Sequence, residues 1–360
     1  MQRLLRLNLV VCALAAVTTL AGCGVAQPAV QPASSSTGYA QSAAASPGLA
    51  RGLVAQRLLR PSATGAILGP TWMSPSATGQ DLVYVTQVGG PINIFTYPGG
   101  QLVGSIGLGG AGLCADAKGN VWISNPVAGQ LLEYAHGGTS PINTLMLIDQ
   151  LVISCSVDPA TGAIAVDSEC QYQSPQCVGP GSVFVYADIK KQPVQYFAGS
   201  TALIYFSSFD PHGNIFVDKL DQTPSGFGIF GLAKLAKGGT AFKNVTLDRH
   251  IYFPGGVQWS GKYLAVGDQE AGGQLTSSVH QIAIQGTHGK VVSTTRLQGV
   301  SDTGEFWIEG STIVAPDTGL GNPPAGSVRL YTYPAGGSPT LVFGSSNLEP
   351  QATAVSLAQK

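Results

Sequence analysis

Charge is scarce in this chain. It carries 18 Lys and Arg and 19 Asp and Glu in 360 residues, for a net charge of −1. A polyanion-binding protein needs clustered cations to displace counterions, and no such cluster occurs, so nucleic acid is excluded as a partner. The Gly-Lys-Ser/Thr phosphate loop and the Gly-x-Ser-x-Gly nucleophile elbow are also missing. Histidine is rare; His136, His212, His250, His280 and His288 do not pair at metal-ligand spacing, and no Ser/His/Asp set assembles from them. Sustained 3.6-residue periodicity is absent beyond the N-terminal region, which argues against α/β folds. What remains is a chain of 48 glycines and many β-branched residues, a composition suited to tight turns and sheets buried on both faces.

One long apolar run exists, from Leu7 to Leu20, preceded by Arg3 and Arg6. It is short for a membrane span and has the layout of a secretory signal over residues 1–22. It ends in Leu20-Ala21-Gly22-Cys23, which resembles the bacterial lipobox. That resemblance implies lipidation of Cys23, anchorage in a lipid bilayer and an extracytoplasmic place in the cell envelope. Gly24 in place of Asp implies outer-membrane sorting in a Gram-negative cell. Residues 23–66 are Ala, Ser, Pro and Gln with few large apolar side chains; they cannot bury enough surface to offset chain entropy and read as a flexible tether. The folded body is expected over 67–360.

Within that body one pattern recurs. "GLCADAKGNVWISN" around Gly119 has counterparts around Gly79, Gly162, Gly213, Gly261 and Gly310. Each is an apolar strand, a tight glycine turn and a second strand rich in Val, Ile, Tyr or Phe, the pattern of a β-hairpin. A second strand pair follows each; "INIFTYPGG" (92–100) and "VRLYTYPAGG" (328–337) are near copies. Units of 40–51 residues with four strands each predict an all-β, six-bladed β-propeller of four-stranded antiparallel blades. The blades fall at about 70–106, 109–148, 151–199, 202–248, 254–297 and 303–345, and the tail at 347–358 is placed to return to the first blade and close the ring.

Cys12 leaves with the signal. Cys170 and Cys177 flank one loop, and an oxidising compartment favours their disulfide; a metal site is the alternative. Cys114 and Cys155 lie on innermost strands of adjacent blades, with opposite parity relative to Asp116 and Asp158. They read either as an inter-blade bridge or as two buried thiols.

Asn125, Asp167, Asp218, Asp268 and Asp317 end the second strand of five hairpins. At one channel mouth they would hold a hard cation; otherwise each caps its own backbone. Asp116, Asp158 and Asp210 precede turn glycines and read as turn residues. Trp72, Trp259 and Trp307 each close a Gly-x-x-Trp, placed on innermost strands of neighbouring blades. They read as an aromatic arc for stacking a sugar or other flat ligand, or as wedges packed between blades.

The "D-x-x-G-N" hairpins followed by "h-x-h-Y" strands resemble the NHL and SMP-30/gluconolactonase-like propellers. The resemblance implies the fold and leaves function open, since propellers host enzymes and binders alike. Lactonase-type members open on Glu-Gly-Pro-x-Trp with a metal-binding Glu; here the stretch is Leu68-Gly69-Pro70-Thr71-Trp72. The paired His with Glu of streptogramin-lyase-like propellers has no match here. The leading expectation is a lipid-anchored, non-catalytic propeller without cofactor that binds a ligand or an envelope protein partner. The alternative is a diverged hydrolase or lyase of the SMP-30 or streptogramin-lyase type that uses a divalent cation.

Overall fold

Five of the six predicted turn glycines adopt left-handed backbone: Gly119, Gly162, Gly213, Gly261 and Gly310, with φ between 57° and 81°. Glycine enters that region without a Cβ penalty, and each of these five turns joins two antiparallel strands. Asp116 and Asp210 set their turns by accepting two backbone N–H bonds each on Oδ1, from Lys118 and Asn120 and from His212 and Asn214, at 2.8–2.9 Å. Asp158 does the same for Ala160. These are Asx turns, as the sequence indicates.

The computed structural model describes residues 68–359, apart from 88, 127, 174–175, 224–227, 274–275, 320–325 and 345–347. The predicted signal (1–22), Cys23 and the tether (23–66) lie outside them. Among the described residues the fold is all-β, with two short 3₁₀ turns at Ala77–Gly79 and Ala271–Gly273.

The strands form five hydrogen-bonded sheets. Leu113–Ala115, Val121–Asn125, Gln130–Tyr134 and Pro141–Met146 make one antiparallel meander. Gln150–Val157, Ile164–Gln173, Ser182–Tyr186 and Val194–Tyr196 make the next. An eight-stranded sheet contains two four-stranded meanders, Ala202–Leu247 and Pro254–Arg296. Their outer edges meet through a two-residue parallel contact, Thr246 with His288 and Leu247 with Gly289. Trp307–Glu309, Thr312–Asp317, Ser327–Thr332 and Leu341–Phe343 form another meander. In the remaining sheet Pro350–Ser356 pairs with Leu82–Gln87, followed outward by Ile92–Thr96, Leu102–Ile106 and Trp72–Met73.

The first strands form a closed circuit. Leu113–Ala115 packs on Gln150–Val157, which packs on Ala202–Phe209, then Pro254–Ser260, Trp307–Glu309, Pro350–Ser356 and back to Leu113–Ala115. The sheets are thus arranged as in a propeller, and apolar clusters fill the gaps between neighbours. Trp122, Leu131 and Leu145 of one sheet meet Val152, Ile164, Val166 and Tyr186 of the next. Each face buried this way gains roughly 25 cal/mol per Å² of apolar area removed from water. Near the axis the strands approach too closely for ordinary side chains. A Cβ at Gly112 would fall 2.1 Å from the Ile153 carbonyl oxygen, and one at Gly256 would fall 2.8 Å from the Phe306 nitrogen.

The expected first blade needs correction. Gly79 does not turn a hairpin; it ends a 3₁₀ turn. Trp72–Met73 pairs with Leu102–Ile106 at the far edge of its sheet, not with Leu82–Gln87. The place beside Leu82–Gln87 is taken by the C-terminal strand, whose buried Ala352, Ala354 and Val355 complete the core there. The tail therefore closes the ring, as expected, and displaces the segment that the local pattern assigned to the centre.

Both disulfides are present. Cys114–Cys155 joins adjacent sheets (Cα–Cα 5.6 Å), and Cys170–Cys177 closes a local loop (Cα–Cα 5.5 Å). The first is made possible by the same crowding at the axis. Facing sheets elsewhere stand about 10 Å apart, beyond disulfide reach.

Candidate functional site

Every first strand contributes to one axial funnel of about 340 Å³. Its wall holds the Cys114–Cys155 disulfide, Ser207, Phe209, Trp259 and Trp307, and Glu305 also lines it. A larger notch of about 590 Å³ beside Met146, Ile148 and Tyr172 lies off the axis.

The tryptophans divide. Trp259 and Trp307 sit on first strands, half-buried, and line the funnel. Trp259 also stacks on buried Phe216, with ring centroids 5.9 Å apart and planes 27° apart. Its Nε1–H donates to the Gly261 carbonyl at 2.8 Å. Each ring thus packs on the core, as the wedge reading expects, and also walls the funnel. Trp72 departs from the expectation: it is 40% exposed on the outer edge strand, far from the axis, because that segment lost its central place to the C-terminal strand.

The five strand-end acids and amides do not gather at one mouth. Asp167 and Asp218 each follow directly on a residue paired with the first strand, Val166 opposite Cys155 and Val217 opposite Ser207. Asp268 lies two residues beyond Val266, the partner of Val257. A one-residue offset on a strand places side chains on opposite faces. Asp268 accordingly accepts from the N–H groups of Tyr252, Phe253 and Glu270 at 3.2 Å, with His280 Nε2 3.8 Å away. Asp317 accepts from Ser301 N–H and Oγ–H and from Gly319 N–H, and pairs with Arg329 at 2.9 Å. Asn125 donates to Gln130 at 3.4 Å. These three residues secure local backbone and strand neighbours. Among the described residues no three His, Cys, Asp or Glu converge as a metal cage.

Asp167 and Asp218 behave differently. Both are fully buried. Asp218 Oδ1 accepts from the Phe206 N–H at 2.8 Å, where a bulge in Ala202–Phe209 frees that donor. Asp167 lies beside Ser207. A third buried carboxylate, which the sequence pattern did not single out, lies within their electrostatic reach. Glu305 reaches across the ring, accepting from Leu113 N–H at 2.8 Å and from the Ser154 hydroxyl. Burial pushes Glu305 up to about 8 and Asp167 to about 7, and raises Asp218 well above the usual carboxylate range; repulsion from Asp167 adds at Glu305, and repulsion from Asp167 and Glu305 adds at Asp218. Glu169, buried beside Tyr205, is raised to about 7 by desolvation. The available signal for Glu305 was an acid inside the otherwise apolar "GEFW". Its partners lie 192 and 151 residues away and leave no local trace.

No protein-family model and no curated protein sequence matches this chain. Solved structures do. A chain from the crystal structure of a nidogen/laminin complex aligns over 78% of this chain and all of its own, at TM-score 0.56 and 14% identity. A protein of unknown function from Bacteroides caccae aligns over the same shares at TM-score 0.57 and 11% identity. A streptogramin B lyase structure aligns over 63% of this chain and 66% of its own at TM-score 0.43 and 13% identity, too weak to carry an argument. Together with the closed circuit of sheets, the first two likenesses define the class: this is a β-propeller. At these identities they establish the fold alone.

Proposed function

We propose that this chain is a six-bladed propeller that binds a small ligand, without transforming it, at the axial funnel. The blade count follows from treating the eight-stranded sheet as two blades, since only two residue pairs join its halves. The observation that carries the binding reading is the funnel itself: every first strand opens onto it, and its wall sets the rings of Phe209, Trp259, Phe306 and Trp307 beside a few polar side chains, the make-up of a small-molecule site. The lipobox-like Leu20–Cys23 supports a lipid-anchored protein held outside the cytoplasm on a flexible tether, with the funnel presented to extracytoplasmic solutes or to an envelope partner.

The test is intrinsic tryptophan fluorescence of the whole chain, titrated with soluble ring compounds such as methyl glucoside, benzyl alcohol and benzyltrimethylammonium. Saturable quenching by at least one, lost in Trp307→Ala, is expected. Quenching unaffected by Trp307→Ala and Trp259→Ala overturns the site. Chemical conversion of a bound compound, or a divalent ion retained through purification and required for stability, overturns the non-catalytic reading in favour of a metal-dependent hydrolase or lyase.

A further inference from the structure

Among the described residues, the ionisable side chains that line the funnel are Asp116, Glu305 and Glu309, and no Lys, Arg or His lines it. In a chain whose acids and bases are nearly equal in number, that segregation is a property of the site. Asp167 and Asp218, both fully buried, lie within electrostatic reach of Glu305: Asp167 acts on Glu305, and Glu305 on Asp218. Asp167 lies beside the N–H and hydroxyl of Ser207, and Asp218 beside the N–H groups of Phe206 and Gly255, but among the described residues neither carboxyl forms an ion pair. The buried ammonium of Lys219, next in sequence to Asp218, is committed to Asp221 through two 2.7 Å contacts. The funnel wall thus holds one buried carboxyl, Glu305, within electrostatic reach of Asp167 and Asp218, together with the rings of Phe209, Trp259 and Trp307.

We propose that the funnel selects an organic cation, an ammonium-bearing small molecule with a flat or apolar body. This rests on the binding reading above and names the ligand class. An aromatic face attracts a cation through its quadrupole, most strongly where water is excluded. A buried carboxyl without a counter-charge is costly as an anion, so an arriving cation stabilises a charge the free protein cannot hold well. A neutral ring compound gains the stacking and leaves the carboxyl groups unmatched. An anion meets three acids and no cationic side chain. The volume suits a ligand of this kind, since small-molecule sites begin at roughly 300 Å³.

The experiment is isothermal titration of the full chain with benzyltrimethylammonium, benzyl alcohol and benzoate near neutral pH, repeated in buffers of different ionisation heat. The cation is expected to bind at least about tenfold more tightly than the alcohol, a difference of about 1.4 kcal/mol, with no binding of benzoate. Its binding should release protons to the buffer, because it draws a neutral carboxyl into the charged form; binding of the alcohol should not. Glu305→Gln should abolish the proton release and weaken the cation alone. Glu309→Gln, at a half-buried position, should weaken the cation by a smaller factor and serves if Glu305→Gln does not fold. Alcohol binding as tight as the cation's, or proton release unchanged by Glu305→Gln, overturns the charge inference while Trp307-sensitive alcohol binding leaves the binding reading standing. Failure of every probe to bind overturns both.

Discussion

Replacing Glu305 by Gln should make the protein more stable at high pH and leave it nearly unchanged at low pH. The ordinary value for this carboxyl is 4.5, and burial lifts it to about 8. Between those two limits the unfolded chain has released its proton while the folded chain retains it. The folded state then binds more protons, so stability falls as pH rises through this window and levels off above it. Each unit is worth about 1.36 kcal/mol, so the full shift amounts to about 5 kcal/mol of stability lost on going from below pH 4.5 to above pH 8. Gln is a shape-matched stand-in for the neutral acid. Its Oε1 can accept the Leu113 N–H, and its amide can donate to the Ser154 hydroxyl, which is able to turn and accept. Glu305→Gln should therefore cost less than about 1 kcal/mol near pH 4 and gain several kcal/mol near pH 9. Glu305→Leu, which strands both donors, should lose about 2–6 kcal/mol near pH 4, where the native carboxyl is neutral. Urea denaturation followed by tryptophan fluorescence across the pH range reads all three proteins. If Glu305→Gln is destabilised by the same amount at every pH, Glu305 is an ordinary anion and the reasoning fails.

Asp167, Glu169 and Asp218 are raised in the same direction, so the intact protein should resist urea better near pH 5 than near pH 8, the opposite of a protein held by surface ion pairs; a flat or rising profile contradicts this. Replacing Cys114 and Cys155 together by Ala removes a cross-link spanning 41 residues, worth about 4 kcal/mol by chain entropy, measurable as a lower denaturation midpoint. Peptide mapping without reduction should recover Cys114 joined to Cys155 and Cys170 joined to Cys177. Deleting residues 350–360 takes away the first strand beside Leu82–Gln87 and should abolish cooperative unfolding; a truncated chain that melts sharply would show the strand to be dispensable. Cys23→Ala should move the protein from the membrane to the soluble fraction of its native host, and no change there removes the lipid anchor.

The parts legible in the sequence are those fixed by neighbours in the chain. The turns at Gly119 and Gly213 are written in the Asp, the Gly and the Asn that follow, within five residues of one another. The Cys114–Cys155 bridge was legible as one of two readings because strand parity is countable. The first sheet was misread for the complementary reason. Its central strand lies about 270 residues from its partner, and the Trp72 segment imitates the local pattern without occupying the place. The strand-end acids show the limit of spacing arguments. One residue of offset sends Asp268 to a backbone cap, and its absence leaves Asp218 in the buried cluster. Glu305 was unreadable because its meaning lies in Leu113 and Ser154, two sheets that reach it only once the ring is shut.

The C-terminal strand has a consequence in time. Because Pro350–Ser356 stands between the first-made sheet and the last, the ring stays open until Ser356 has been made. Until then Leu82–Gln87 presents a bare edge, and the sheets at either side of the gap each show water a face meant for a neighbour. A chain cut before Pro350 would keep that edge and those faces bare, a sticky intermediate rather than a slightly shorter protein.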